Sequence, residues 1–161
     1  MKISNKKNQT SIDKATILSK ALPFMQRYEG KSITIKFGGA AMAEINSSSS
    51  FAKDIVLLKQ VGINPIVVHG GGPKIGKMLE KLNVQTNFVN GLRVTDKKTM
   101  EVVEMVLSGS INKEIVMEIN KEGGRAIGLS GKDGLLAETK KIKSSFNNKS
   151  KDLGFVGEPK N

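Results

Sequence analysis

The sequence predicts an α/β fold built on a mainly parallel sheet. Three observations carry that expectation. Strand-like and helix-like stretches alternate from residue 31 onward. PIVVH at 65–69 is a continuous apolar run of the kind buried in parallel sheets. The first two strand candidates each end in glycines, KFGGAAM and HGGGPKI, before a helix resumes.

The elements follow in order. Residues 1–10 are basic and polar and read as a disordered lead. Over 11–29, Ala15, Leu18, Leu22 and Met25 recur at helical spacing, with Ile17, Ala21, Phe24 and Tyr28 beside them. Thr10 and Asp13 offer a capping-box-like start, and Pro23 is expected to kink the helix or split it. Its apolar stripe is wide for a segment ahead of the first strand, which suggests packing against something, such as another subunit. Residues 31–37 form a strand, with Ile33, Ile35 and Phe37 on one parity and Thr34 and Lys36 on the other. A helix over 50–61 starts in the SSSS run and stops at Gly62. After the second strand, Pro73 suits the first turn of the next helix. This order predicts a right-handed crossover between parallel strands.

Asn90-Gly91 between short β-type runs signals a hairpin. Helices are expected over 96–108 and 110–122, broken near Gly109 and stopped by Gly123-Gly124. RAIGLS at 125–130 reads as a third core strand. Beyond Gly131, LLAETKKIK reads as an edge strand, SSFNNKSKD as a polar loop and GFVGE as the start of a returning strand.

Composition narrows the chemistry. The 161 residues suffice for one core. No cysteine is present, which excludes disulfides and thiolate chemistry, and a single histidine excludes a histidine-based metal cluster. No apolar run approaches the ~20 residues of a membrane span, and no apolar core follows the basic start as a secretory signal requires. A cytoplasmic soluble protein without membrane attachment is the expectation. The net charge of +11 attracts polyanions. Lysines nevertheless outnumber arginines, lie scattered and seldom meet aromatic residues, so a nucleic-acid partner is not expected.

Helices that follow glycine-ended parallel strands present unpaired amides and partial positive charge at the carboxyl edge of the sheet. Glycine lets an anion approach that backbone. Lys36 closes the first strand beside Gly38 and Gly39, and an ammonium there suits charge developing on a transferred phosphoryl group. The plainer reading is a surface lysine and an ordinary turn. Two such loops on successive strands favour the phosphate site, although neither GxxxxGK[ST] nor GxGxxG follows the strands. His69 reads as structural rather than as a base, and Asp133 as a turn cap rather than a metal ligand. Arg93, after the NG turn, is either a carboxylate clamp or a solvated surface charge, and spacing alone does not choose.

Taken together, ALPFMQRYEGKSITIKFGGAAM, FAKDIVLLKQVGINPIVVHGGGPKI, FVNGLRVTD, SGSINK, AIGLSGKDG and DLGFVGE resemble the acetylglutamate kinases of the amino-acid kinase family. The resemblance implies a three-layer sandwich, of which residues 30–161 would form the N-terminal, acetylglutamate-binding lobe. It implies ATP-dependent phosphorylation, with Mg2+, of the side-chain carboxylate of N-acetyl-L-glutamate in arginine biosynthesis. Lys36 matches the family's transition-state stabiliser, and Gly38 and Gly39 match the loop at the phosphates. Gly71 and Gly72 match the backbone pair that holds acetylglutamate, and Arg93 the guanidinium that grips its α-carboxylate. No protein metal ligand is implied. The helix at 11–29 resembles the interface extension of arginine-inhibited hexamers, implying a homo-oligomer, a dimer or hexamer, with arginine as inhibitor.

The family continues beyond GFVGE with an ATP-binding lobe carrying a second catalytic lysine and its organising aspartate. Those have no counterpart here, so a truncated chain, inactive alone, is the expectation. The rival expectations are a non-catalytic module for acetylglutamate binding or oligomer assembly, and a basic nucleic-acid binder.

Overall fold

The computed structural model describes residues 2–38, 42, 47–142, 144–146 and 149–160. At its centre two parallel strands, β1 (Ser32–Phe37) and β2 (Asn64–His69), pair with Ser32 opposite Asn64 and Phe37 opposite His69. The helix between them, α2 (Ser47–Gln60), covers one face. Strand alternation sends Ile35 and Val67 to that face, where they meet Ala52 and Ile55 of α2. Phe37, almost fully buried, stacks on Phe51 with ring centroids 3.9 Å apart. The opposite face holds Thr34, Lys36, Ile66 and Val68, all exposed.

The stop at Gly62 is borne out. Its φ of 89° is open to glycine at little cost, and the amides of Gly62 and Ile63 donate back to the carbonyls of Lys59 and Leu58 at 3.2 and 3.0 Å.

The N-terminal helix α1 (Lys2–Tyr28) is longer than its apolar spacing predicts. Residues 2–10 of the expected disordered lead are helical, so Thr10 and Asp13 lie inside the helix rather than at its start. No glycine or proline interrupts the chain before Pro23, and extending a formed helix is far easier than nucleating one. Pro23 does not split it: the ring forfeits one amide bond while the turns on either side persist. Ile12, Ile17, Leu18, Leu22 and Phe24 are exposed along α1.

Helix α3 (Gly72–Lys81) follows β2, with Pro73 in its first turn. The hairpin of β3 (Phe88–Val89) and β4 (Leu92–Arg93) turns through Asn90 and Gly91 at φ 51° and 77°, the doubly left-handed turn that Asn-Gly favours. Next come α4 (Lys97–Glu104), a π-helical turn (Met105–Ile111) and α5 (Asn112–Lys121). The expected break at Gly109 is absent. The backbone stays right-handed helical at both junctions, and the Asn112 amide donates to the Leu107 carbonyl, five residues back. Gly109 does not need its freedom: it is exposed and a β-carbon there meets open space. Gly109→Ala is therefore expected to stabilise the chain by roughly 0.5–1 kcal/mol in urea unfolding, through helix propensity alone.

This continuous rod joins two apolar clusters. Val102, Val106 and Ile111 pack on Ile75 and Leu79 of α3, while Ile119 packs on α2 and Ile115 touches both groups.

RAIGLS is not a strand. Residues 124–130 carry no strand pairing, and Ile127 and Leu129 are 84% and 57% exposed. Side chains of α5 hold the segment instead. Asn120 accepts from the Ala126 amide at 2.8 Å, and Lys113 donates to the Gly128 carbonyl at 3.3 Å. An apolar run makes a strand only beside a partner edge, and none stands there among the described residues.

The expected edge and returning strands do meet, as β5 (Thr139–Lys141) antiparallel to β8 (Gly157–Pro159). The stretch expected to be a polar loop holds a second antiparallel pair, β6 (Ser144–Phe146) and β7 (Lys149–Lys151). Ladder bonds need only facing backbone groups, so apolar periodicity gives no warning of them. Before β8 the chain crosses back to α4. The Thr95 amide donates to the Leu153 carbonyl at 2.9 Å and the Phe155 amide to the Thr95 carbonyl at 2.7 Å. Leu153 is fully buried there.

Candidate active site

The two glycine loops adjoin at the carboxyl edge of the parallel pair. The Gly70 amide donates to the Phe37 carbonyl at 3.2 Å, and a β-carbon on Gly38 would sit 3.7 Å from the Gly70 nitrogen. Lys36 is opposite Val68 in the same ladder, with its side chain exposed. Lys36, Gly38 and residues 70–72 therefore lie at one end of the sheet, as the spacing predicts. Gly39 falls outside the described residues.

Gly71 and Gly72 differ in what surrounds them. A β-carbon on Gly71 would lie 2.5 Å from Ile111 Cδ1 and 2.7 Å from Leu107 Cδ2, whereas on Gly72 it would meet nothing within 4 Å. Gly71 is extended at φ 178°, so its need for glycine is one of space rather than strain. Gly72 opens α3, whose first turn has no side-chain cap. The first-turn amides of a helix lack intrahelical acceptors, and the positive end of the helix dipole lies with them. A cavity of about 190 Å³ opens nearby, its wall including Phe37, Met42, Phe51, Lys74 and Glu114.

Arg93 is half-buried. Its Nη1 donates to Thr86 Oγ1 at 3.2 Å, and its guanidinium carbon lies 4.5 Å from the Phe88 ring centroid. Its Nη2 is 3.9 Å from where a Gly76 β-carbon would stand, one helical turn beyond Gly72. The hairpin thus brings the guanidinium beside α3 at Gly76, packed on Phe88 and bonded to Thr86.

His69 Nδ1 is 3.0 Å from the Gly70 carbonyl and must carry the proton in that contact, since a carbonyl only accepts. This fits the structural reading. Asp133 accepts from the Ser130 amide and hydroxyl at 2.6 and 2.8 Å, closing a turn as expected.

The sequence reading missed an ionic clamp beside the loop. Lys74 donates to Glu114, which also accepts from Ser110 at 2.8 Å. The Lys74 bond, with help from Ser110, holds the Glu114 carboxyl below the usual range. The Thr99 amide does the same for Asp96, which caps α4 with an Oδ1 acceptor 2.7 Å from that nitrogen. A carboxyl with a lowered folded pKa favours folding above its unfolded value of about 4, and that favour disappears as pH falls through the folded value. The urea midpoint is therefore expected to hold from pH 7 to 5 and to drop below about pH 4. Glu114→Gln should make that drop shallower, and an unchanged acid limb would show that the clamp is not formed in solution.

A parallel α/β sheet with glycine loops at its strand ends defines a class that gathers anions at the sheet's carboxyl edge. The sequence pattern of the amino acid kinase family matches residues 31–158, and the chain belongs to that family. The acetylglutamate kinase of Parvibaculum lavamentivorans is 54% identical over 158 residues, covering 94% of this chain and 52% of the relative. That of Rhodospirillum centenum is 57% identical over 152 residues, covering 91% and 50%. The chain spans about half the length of these curated relatives. Among solved structures, N-acetylglutamate synthase from Neisseria gonorrhoeae, complexed with coenzyme A and N-acetyl-glutamate, superposes with a TM-score of 0.71 at 19% identity. The match covers 90% of this chain and 32% of that one, and it supports the α/β fold.

Proposed function

We propose that this chain supplies the substrate side of an acetylglutamate kinase, which phosphorylates the side-chain carboxylate of N-acetyl-L-glutamate with ATP. The observation that carries the proposal is the joining of both glycine loops at the head of α3, with Arg93 one turn along. The curated relatives supply the substrate.

In this reading the Gly71 and Gly72 backbone holds acetylglutamate and Arg93 pairs with its α-carboxylate. A side-chain carboxylate oxygen attacks the γ-phosphorus, the bond to the β–γ bridging oxygen breaks, and ADP leaves. Gly38 and Gly39 face the phosphates, and Lys36 offsets the charge that builds on the equatorial oxygens. Magnesium prefers phosphate oxygens and water, and would arrive on the nucleotide. Among the described residues no three His, Cys, Asp or Glu side chains converge as a protein cage.

The exposed apolar stripe of α1 supports a homo-oligomer in which another copy covers that helix. Arginine as an inhibitor of the enzyme belongs to the same proposal and rests on the family resemblance alone. Among the described residues no helix is long and apolar enough to cross a membrane. A cytoplasmic location belongs to the same proposal.

Calorimetric titration of the purified chain with N-acetyl-L-glutamate tests the reading. Saturable heat is expected, and a folded chain that gives none overturns it. An ATP-dependent hydroxamate trap then separates a kinase from a module that only binds.

A further inference from the structure

SGSINK, residues 108–113, is distinctive in the sequence, yet none of its residues belongs to the glycine loops or to the Arg93 clamp. It closes the π turn Met105–Ile111, and that turn carries both side chains that touch Gly71. Ile111 is 1% exposed and sits in one cluster with Ile75 and Leu79 of α3. The glycine loop therefore rests directly on the branched tips of Leu107 and Ile111, while its other side, at Gly72, is open. A second tie joins the same two elements. Lys74 in the first turn of α3 meets Glu114, and Glu114 accepts from Ser110 of the π turn at 2.8 Å.

The wide turn explains how Ile111 comes to be there. Val102 to Val106, Ile111 to Ile115 and Ile115 to Ile119 are four-residue steps, but Val106 to Ile111 is one residue longer. In a regular helix of about 3.6 residues per turn that longer step would swing Ile111 well off the face of Val106. A turn closed by a bond five residues back absorbs the extra residue. Val106 and Ile111 then stay in one cluster, with Ile111 beneath the loop.

We propose that the π turn is the positioning element of the anion-binding loop. Leu107 and Ile111 set where the Gly71 and Gly72 amides stand, and the Lys74–Glu114–Ser110 tie fixes the head of α3. Leu107 and Ile111 are positioning residues and touch no substrate. The substrate part of this inference rests on the proposed function; the placement of the amides does not.

The test compares Ile111→Val with Ile119→Val in the ¹⁵N-labelled chain. Both remove one methyl from a buried isoleucine of the same rod, but only Ile111 directs its Cδ1 at Gly71. The Gly71 and Gly72 amide signals are expected to move, and to exchange several-fold faster with solvent, in Ile111→Val and not in Ile119→Val. Gly71→Ala should displace the same signals, and adding Ile111→Val should return them toward their original positions. Equal effects of the two valine variants on those amides, or none from either, overturn the proposal. Titration with N-acetyl-L-glutamate adds a functional arm, with roughly tenfold weaker binding expected for Ile111→Val alone. A parent chain that binds no N-acetyl-L-glutamate overturns the substrate reading, and the amide comparison still decides the positioning.

Discussion

Gly154→Ala is expected to destabilise the chain by roughly 3 kcal/mol or more, far above the effect of an ordinary surface substitution. Two physical costs coincide at this position. The backbone stands at φ 72°, where a β-carbon is strained. That carbon would also lie 2.0 Å from the Thr95 carbonyl oxygen and 2.6 Å from its carbon. Backbone atoms cannot swing aside as a side-chain tip can, so the crossing would open. Opening it breaks the bonds from Thr95 to Leu153 and from Phe155 to Thr95, and lifts Leu153 out of the core. Gly134→Ala is the matched control: φ is 59°, yet nothing lies within 4 Å of the added carbon. It should cost only the strain, about 1 kcal/mol. Urea unfolding of both variants checks the pair, and equal losses would show that the crossing is not formed in solution.

Arg93→Ala is expected to weaken N-acetyl-L-glutamate binding roughly 100-fold, the loss of a paired, charge-assisted contact to a carboxylate. The residue also packs on Phe88 and bonds Thr86, so part of any loss would come from a loosened hairpin. Arg93→Lys separates the two causes. It keeps the charge but replaces the planar fork with a single ammonium, and should recover only part of the affinity. Calorimetry with N-acetyl-L-glutamate, beside urea unfolding of each variant, reads both effects. Affinity within about threefold of the parent in Arg93→Ala would remove the guanidinium from the site.

The parallel pair, its crossover helix, the Asn-Gly hairpin and the glycine stops were legible because each rests on a local rule. Apolar parity, left-handed turns and helix ends all sit within a few residues of their cause. The meeting of the two glycine loops was legible for the same reason, since such loops on neighbouring parallel strands must adjoin at one sheet end. Failures came where the cause lies elsewhere in the chain. RAIGLS has the composition of a strand but no adjacent edge, and side chains of α5 claim its backbone. Gly109 looks like a break because glycine usually is one, while the spacing from Val106 to Ile111, one residue too long, carried the better signal. The tie between Lys74 and Glu114 joins α3 to α5 across a wide sequence gap, and no local pattern announces it.

The crossing at Thr95 also bears on the order in which the chain takes shape. A ribosome releases the hairpin and the head of α4 long before it releases Leu153 and Gly154. The Leu153–Gly154 segment that clasps them follows far behind in the chain, so this corner closes only after loop-closure entropy has been met over that long intervening stretch.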